Sequence, residues 1–271
     1  MLGQLSGATR LFPIIGDPVT AVQSPASLTR TFADRGHPAM CVPLQVAAED
    51  LDVVLAGLAA SGNLDGILVT MPHKATAFAH CATSSTRSQL LGVVSVIRRN
   101  HDRSWHGDML DGLAFVKAQT DHGATIRGSK ALLVGAGGAG SAIAAALLDG
   151  GVSQLVLHDT DHAKAKALLK LLTRAGHGQD QVSVGSGDPN GFDLVLNATP
   201  MGMNVDDPLP VDPNRLSSQM FVGDVIAGHG TTPLLRAAHD AGCRTANGVD
   251  MVNAVQALMA DFFLNVPRDA S

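Results

Sequence analysis

The 271 residues contain no tyrosine, and tryptophan occurs once, at Trp105. An acid–base mechanism built on a tyrosine phenol is therefore excluded. Cysteine is scarce. Cys41, Cys81 and Cys243 form an odd, scattered set with no C-x-x-C pair. They read as buried free thiols in a reducing compartment, the cytoplasm. No apolar run is long enough to span a membrane. The first ten residues lack the basic start and apolar stretch of a signal peptide. Positive charge is in deficit, with 19 Lys and Arg against 24 Asp and Glu, so the net charge of −5 makes no electrostatic case for nucleic acid. The eleven histidines show no H-x-x-H or H-E-x-x-H spacing, so no metal is expected. What remains is the profile of an ordinary soluble enzyme, 45% hydrophobic and 16% charged. Its length suffices for two modest domains.

One stretch organises the chain. Ala131–Val134 is an apolar run that reads as a buried strand, and Ser141–Leu148 is an Ala-rich helix former. Between them, Gly135-Ala136-Gly137-Gly138-Ala139-Gly140 is G-x-G-x-x-G in the required strand–turn–helix context. Gly135 permits the sharp turn, Gly137 lets a pyrophosphate approach the backbone, and Gly140 lets the helix pack closely. The free N–H groups and the positive end of the helix dipole then face the phosphates. A second strand, Gln154–His158, ends at Asp159, an acid at about the 20-residue spacing a ribose-binding carboxylate takes. A carboxylate there bonds free 2′ and 3′ hydroxyls and repels a 2′-phosphate. Lys164 and Lys166 stand poorly placed to compensate. The expected cofactor is NAD, with NADP as the alternative.

Strand and helix patterns alternate along the rest. Strands are expected at Leu11–Gly16, Ala39–Val46 and Leu64–Met71, and Val93–Arg99 is strand-like, with Trp105–Asp108 pairing with it. Ser24 before Pro25 reads as the N-cap of a helix running to about Arg35. Ala48–Ala60 has helical periodicity, helical segments fill His73–Leu91, and Gly112–Asp121 leaves the first domain as a helix. Beyond the glycine loop come a helix at Ala163–Ala175 and short strands at Gln181–Val184, Asp193–Asn197, Met220–Ile226 and Thr245–Val249. A helix over Thr232–Ala241 starts near Thr231, and Asp250–Phe263 closes the chain. The alternation implies parallel sheets with right-handed crossovers. Residues 266–271 read as a loose tail.

Several motifs fall in one order: Val69-Thr70-Met71-Pro72-His73-Lys74, Gly107-Asp108-Met109-Leu110-Asp111-Gly112, the glycine loop, Asn197-Ala198-Thr199-Pro200-Met201-Gly202-Met203 and Thr232-Pro233-Leu234-Leu235. Together they resemble the shikimate dehydrogenase family over nearly the whole chain. The resemblance implies an N-terminal α/β substrate domain (1–111, completed by a helix over 250–271), a Rossmann domain (112–249) and a cleft between them. It implies reversible hydride transfer between a nicotinamide and a ring hydroxyl of shikimate or quinate. The alternatives are another small cyclic acid such as aminoshikimate, or a regulatory nucleotide-binding protein without turnover. A monomer or homodimer is expected, with no nucleic acid or membrane partner.

The resemblance also implies roles. Lys74 and Asp111 form the acid–base pair, Lys74 taking the hydroxyl proton in oxidation and Asp111 orienting it. Thr70 bonds a substrate hydroxyl and Ser24 the carboxylate. Ser95 stands where the family has an asparagine and is the candidate for a ring hydroxyl. Gln256 falls one residue after the family's glutamine, whose own place is taken by Val255. Asn197, Thr199 and Met203 line the nicotinamide side, and Asp224 and Gly248 border the ring. His73 reads as an exposed loop histidine beside Lys74. The departures lie mostly in the substrate shell: Val22 replaces one serine, Met109 and Leu110 replace Asn-Thr, and Ala227 replaces a tyrosine.

Overall fold

The computed structural model describes residues 5–20, 22–178, 180–204 and 206–264. They fall into two units, one of the described residues up to Leu110 with those from Gln256 on, the other Asp111–Val255. Asp111 thus opens the second unit.

In the first unit, β1 (Arg10–Gly16), β2 (Ala39–Gln45) and β3 (Gly66–Val69) pair in parallel. β5 (Val96–Arg99) runs antiparallel to β3, and β6 (Trp105–Asp108) antiparallel to β5. The sheet is therefore mixed, where parallel pairing throughout was expected. The short connection between β5 and β6 explains that part of the difference. It makes a hairpin, whereas a parallel return needs a dozen or more residues. A second difference lies in 73–91. Instead of helix throughout, α3 (Lys74–Ala79) and α4 (Thr86–Leu91) flank a two-residue strand, β4 (Thr83–Ser84), paired with β6. Ser85 restarts the helix by accepting the Ser88 N–H at 3.2 Å. The sheet order is β2-β1-β3-β5-β6-β4.

Side chains alternate across β1, so its two faces meet different helices. Ile15 packs with Val46, Leu55, Ile67 and Ile97 under α2 (Leu51–Ala60). Arg99 closes that layer. It donates to the Leu58 and Ala59 carbonyls at the end of α2 and lies 3.9 Å over the Trp105 ring. Its cation thus meets both the negative end of a helix and a π face. On the opposite face Phe12 meets Phe32 of α1 (Ser24–Asp34) and Phe263 of α9 (Gly248–Leu264), with ring centroids 4.7 and 4.8 Å apart.

The second unit is an all-parallel sheet in the order β12-β11-β10-β7-β8-β9. Its strands are β7 (Lys130–Val134), β8 (Gln154–His158), β9 (Val182–Val184), β10 (Leu194–Asn197), β11 (Phe221–Asp224) and β12 (Arg244–Ala246). Its helices are α5 (Asp111–Asp121), α6 (Gly138–Asp149), α7 (His162–Arg174) and α8 (Pro233–Asp240). The buried, continuous apolar strands suit a sheet covered on both faces. Thr232, not Thr231, caps α8, accepting the Leu235 N–H at 3.3 Å. Chain order reverses between β7 and β10, the switch point where doubly wound sheets bind ligands. Of the expected tail, 266–271 lies outside the described residues.

Candidate active site

Four residues stand in register along the carboxyl edge of the second sheet: His158, Val134, Asn197 and Asp224. The chain leaves each of them into a loop. After Val134, Gly135 turns with φ +106°, a conformation only glycine adopts freely. A Cβ on Gly140 would sit 1.9 Å from the Gly135 carbonyl oxygen, so only glycine lets α6 start this close to the turn. Gly137 and Gly138 differ. A Cβ on either meets nothing within 4 Å, so the space before the helix N-terminus is open. Ala139 follows inside the first turn of α6. This first turn carries no acid, so free N–H groups and an open cradle fit a pyrophosphate.

Asp159 closes the other side of that cradle. Its Oδ2 accepts the Ala136 N–H and its Oδ1 the Asp161 N–H, both at 2.8 Å. Asp161 caps α7, and the Lys164 ammonium stands 4.0 Å from it. Lys164 is thus already paired with an acid.

Past β10, the Asn197 amide is consumed inside the protein. Its Nδ2 donates to the Thr199 and Met201 carbonyls and to Asp224 Oδ1, at 3.2, 3.4 and 3.0 Å. Its Oδ1 accepts the Thr199 N–H and hydroxyl at 3.0 and 2.6 Å. Asn197 is buried, and its amide braces the loop. Met203 lines a pocket of about 270 Å³ with Pro200, Met201, Asn204, Asp207 and Pro208. Asp224 is fully buried and receives Thr232 Oγ1 at 2.7 Å and the Ile226 N–H at 3.1 Å. Burial raises its pKa, and the bonds from Thr232, Ile226 and Asn197 oppose the rise. Gly248 begins α9. A Cβ there would lie 2.4 Å from the Val225 carbonyl oxygen, so close packing explains this glycine.

In the first unit, Thr70 ends β3 and its N–H bonds the Ile15 carbonyl at 2.9 Å. Lys74 opens α3, half-buried. Its neighbour His73 is 1% exposed, and its Nε2 lies 2.7 Å from the Val46 carbonyl. That overturns the reading of an exposed loop histidine: the ring ties the entry of α3 to the end of β2. Ser24 is the first helical residue rather than the cap, since Gln23 holds the cap position without a side-chain bond. Its Oγ faces Gln256 Nε2 at 3.4 Å. Gln256 is 8% exposed, and its Oε1 has no hydrogen-bond partner. Ser95 is 2% exposed and accepts the Leu110 N–H at 2.9 Å. Its oxygen braces the turn before Asp111.

Two partners in that turn escaped the sequence reading. Arg87 donates to the Met109 carbonyl at 3.1 Å and to Asp108 Oδ2 at 2.6 Å. Asp108 Oδ1 accepts the Ser85 hydroxyl and the Met109 N–H. Arg87 and Ser85 sit in a stretch without chemical signature, and only the fold brings them to Asp108.

Residues 14–97 match the family profile described as shikimate dehydrogenase substrate binding domain. The shikimate dehydrogenase (NADP(+)) of Stenotrophomonas maltophilia is 32% identical over 246 residues, covering 90% of this chain and 87% of its own. The fold is that of the shikimate 5-dehydrogenase of Listeria monocytogenes, solved with shikimate and NAD, at a TM-score of 0.89, 24% identity and 97% and 94% coverage. The quinate dehydrogenase of Corynebacterium glutamicum, solved with NAD, superposes at 0.84 with 26% identity over 96% of this chain and 95% of its own. With relatives this similar over this much of its length, the chain belongs to the shikimate dehydrogenase family.

Proposed function

We propose that the protein is an NAD(P)-dependent oxidoreductase that interconverts shikimate, or the closely related quinate, with the corresponding ring ketone. The observation that carries this reading is the open glycine cradle at the switch point, in a chain whose residues 14–97 match a substrate-binding domain of this family. The loop Gly135-Ala136-Gly137-Gly138-Ala139 cradles the pyrophosphate, with the N–H groups of Gly137, Gly138 and Ala139 facing it, Asp159 holds the adenosine ribose, and Thr199 and Met203 the nicotinamide end. When bound, the nicotinamide accepts or returns the hydride. Lys74 takes the hydroxyl proton in oxidation and gives it back in reduction, with Asp111 as the second member of the pair. Thr70, Ser24 and Gln256 bind the acid's polar groups.

NAD is the preferred dinucleotide. Asp159 presents a carboxylate where a 2′-phosphate would lie, and its two backbone bonds keep it in place. The Stenotrophomonas relative is named for NADP, and the preference for NAD rests on the Asp159 carboxylate of this chain.

Initial rates with shikimate and quinate, each with NAD and NADP, test the reading. Turnover fastest with an NAD pair is expected, and no turnover with any pair overturns it. Lys74→Ala should lower kcat by roughly 10²–10⁴-fold, the range of general acid–base catalysis. NAD affinity, measured by calorimetry, should stay unchanged. Retained turnover in that variant would remove Lys74 from the mechanism.

A further inference from the structure

Asp224 is the one fully buried carboxylate among the described residues, and the acid–base chemistry does not use it. Three donors converge on it: Thr232 Oγ1 on Oδ2, and Asn197 Nδ2 and the Ile226 N–H on Oδ1. Every donor is neutral, and no cation among the described residues bonds to the group. Burial, the larger effect, raises the pKa of the group, and the hydrogen bonds restrain that rise without cancelling its charge. A negative charge is therefore held at the carboxyl edge of β11 with little water to screen it.

Its place in the sheet gives this charge a use. Asp159 follows β8, one strand from β7 and the glycine turn. Asn197 and Asp224 end β10 and β11, the first and second strands on the other side. A dinucleotide crosses a doubly wound sheet at the switch point, one nucleotide on each side. With the adenosine ribose at Asp159, the nicotinamide falls to the side of Asp224. The oxidised nicotinamide ring is a cation and the reduced ring is neutral.

We infer that Asp224 is a fixed buried charge that favours the oxidised over the reduced dinucleotide. The inference rests on the NAD(P) reading above. A unit charge within about 10 Å, in an effective dielectric of about 20, is worth on the order of tenfold in affinity.

Asp224→Asn separates charge from geometry. The amide oxygen still accepts from Asn197 and Ile226, and its NH₂ donates to Thr232 Oγ1, which reverses its role. Dissociation constants of NAD⁺ and NADH are measured by calorimetry on wild type and variant, and those of NADP⁺ and NADPH in parallel. In the variant the ratio of oxidised to reduced Kd should rise about tenfold. An unchanged ratio, with both constants moving together, would mean a purely structural group and overturns the inference. Failure of the wild type to bind any of the four nucleotides overturns the cofactor reading as well, and so differs from an unchanged ratio. Should Asp224→Asn not fold, the same ratio is read on Asp224→Ser, where a rise of about tenfold supports the inference and an unchanged ratio overturns it.

Discussion

Asp159 works through charge and position together. Its two oxygens take one backbone N–H from the glycine loop and one from the start of the next helix. Asp159→Asn keeps an acceptor but removes the negative charge. The NAD:NADP ratio of kcat/KM should then fall by about tenfold or more, the size of a hydrogen bond to a charged group. Steady-state kinetics with both dinucleotides checks this, and an unchanged ratio would place cofactor choice elsewhere. Cys41 shows a different residue-scale effect. Burial pushes its thiol up from 9.0 to about 12. Above pH 9 the unfolded chain releases the proton while the folded chain keeps it. The unfolded state then binds fewer protons, so stability falls as pH rises, by about 1.4 kcal/mol per unit up to about pH 12. Denaturant unfolding of wild type and Cys41→Val at pH 8 and pH 10 should show a shallower loss in the variant.

At the scale of elements, the turn between β7 and α6 separates two jobs that its glycines share in the motif. Gly140 is required by packing, since its Cβ would strike the Gly135 carbonyl oxygen. Gly137 is required by nothing inside the protein. Gly140→Ala should therefore destabilise the fold by roughly 1–3 kcal/mol or more, as overpacking does. Gly137→Ala should leave the thermal midpoint in place while weakening NAD binding by roughly ten- to a hundredfold, as lost bonds to a charged group do. Thermal unfolding and calorimetry on the two variants read both effects, and equal melting temperatures for the two would refute the distinction. The turn at Asp108–Leu110 shows the reverse case. It has no glycine signature of its own and is held by side chains from elsewhere in the first unit: Ser85, Arg87 and Ser95.

For the molecule as a whole, the last helix, from Gln256 on, completes the unit that β1 begins. Phe263 of α9 meets Phe12 and Phe32, and Arg35 bonds Asp261 at 2.6 Å. Phe263 is buried, and one ring edge lies where a Cβ on Gly66 would be. Phe263→Ala should cost about 3–5 kcal/mol in urea unfolding, the range for truncating a buried aromatic. A loss below 1 kcal/mol would show that the aromatic cluster does not hold the first unit.

Sequence alone was enough for the elements whose signals are local. A parallel doubly wound sheet, the glycine cradle and Asp159 after the second strand were legible, because apolar strand runs, helix formers and glycine's backbone freedom act within a few residues. The order of the motifs was legible for the same reason. Tertiary structure alone decided where polar side chains spend their hydrogen bonds. His73 is buried against Val46, Ser95 against Leu110 and Asn197 within its own loop, and Gln256 meets Ser24 from 232 residues away. It also decided the mixed pairing of the first sheet. A hydroxyl or amide takes whichever partner the fold places within about 3 Å, and the spacing of residues along the chain carries no record of that choice.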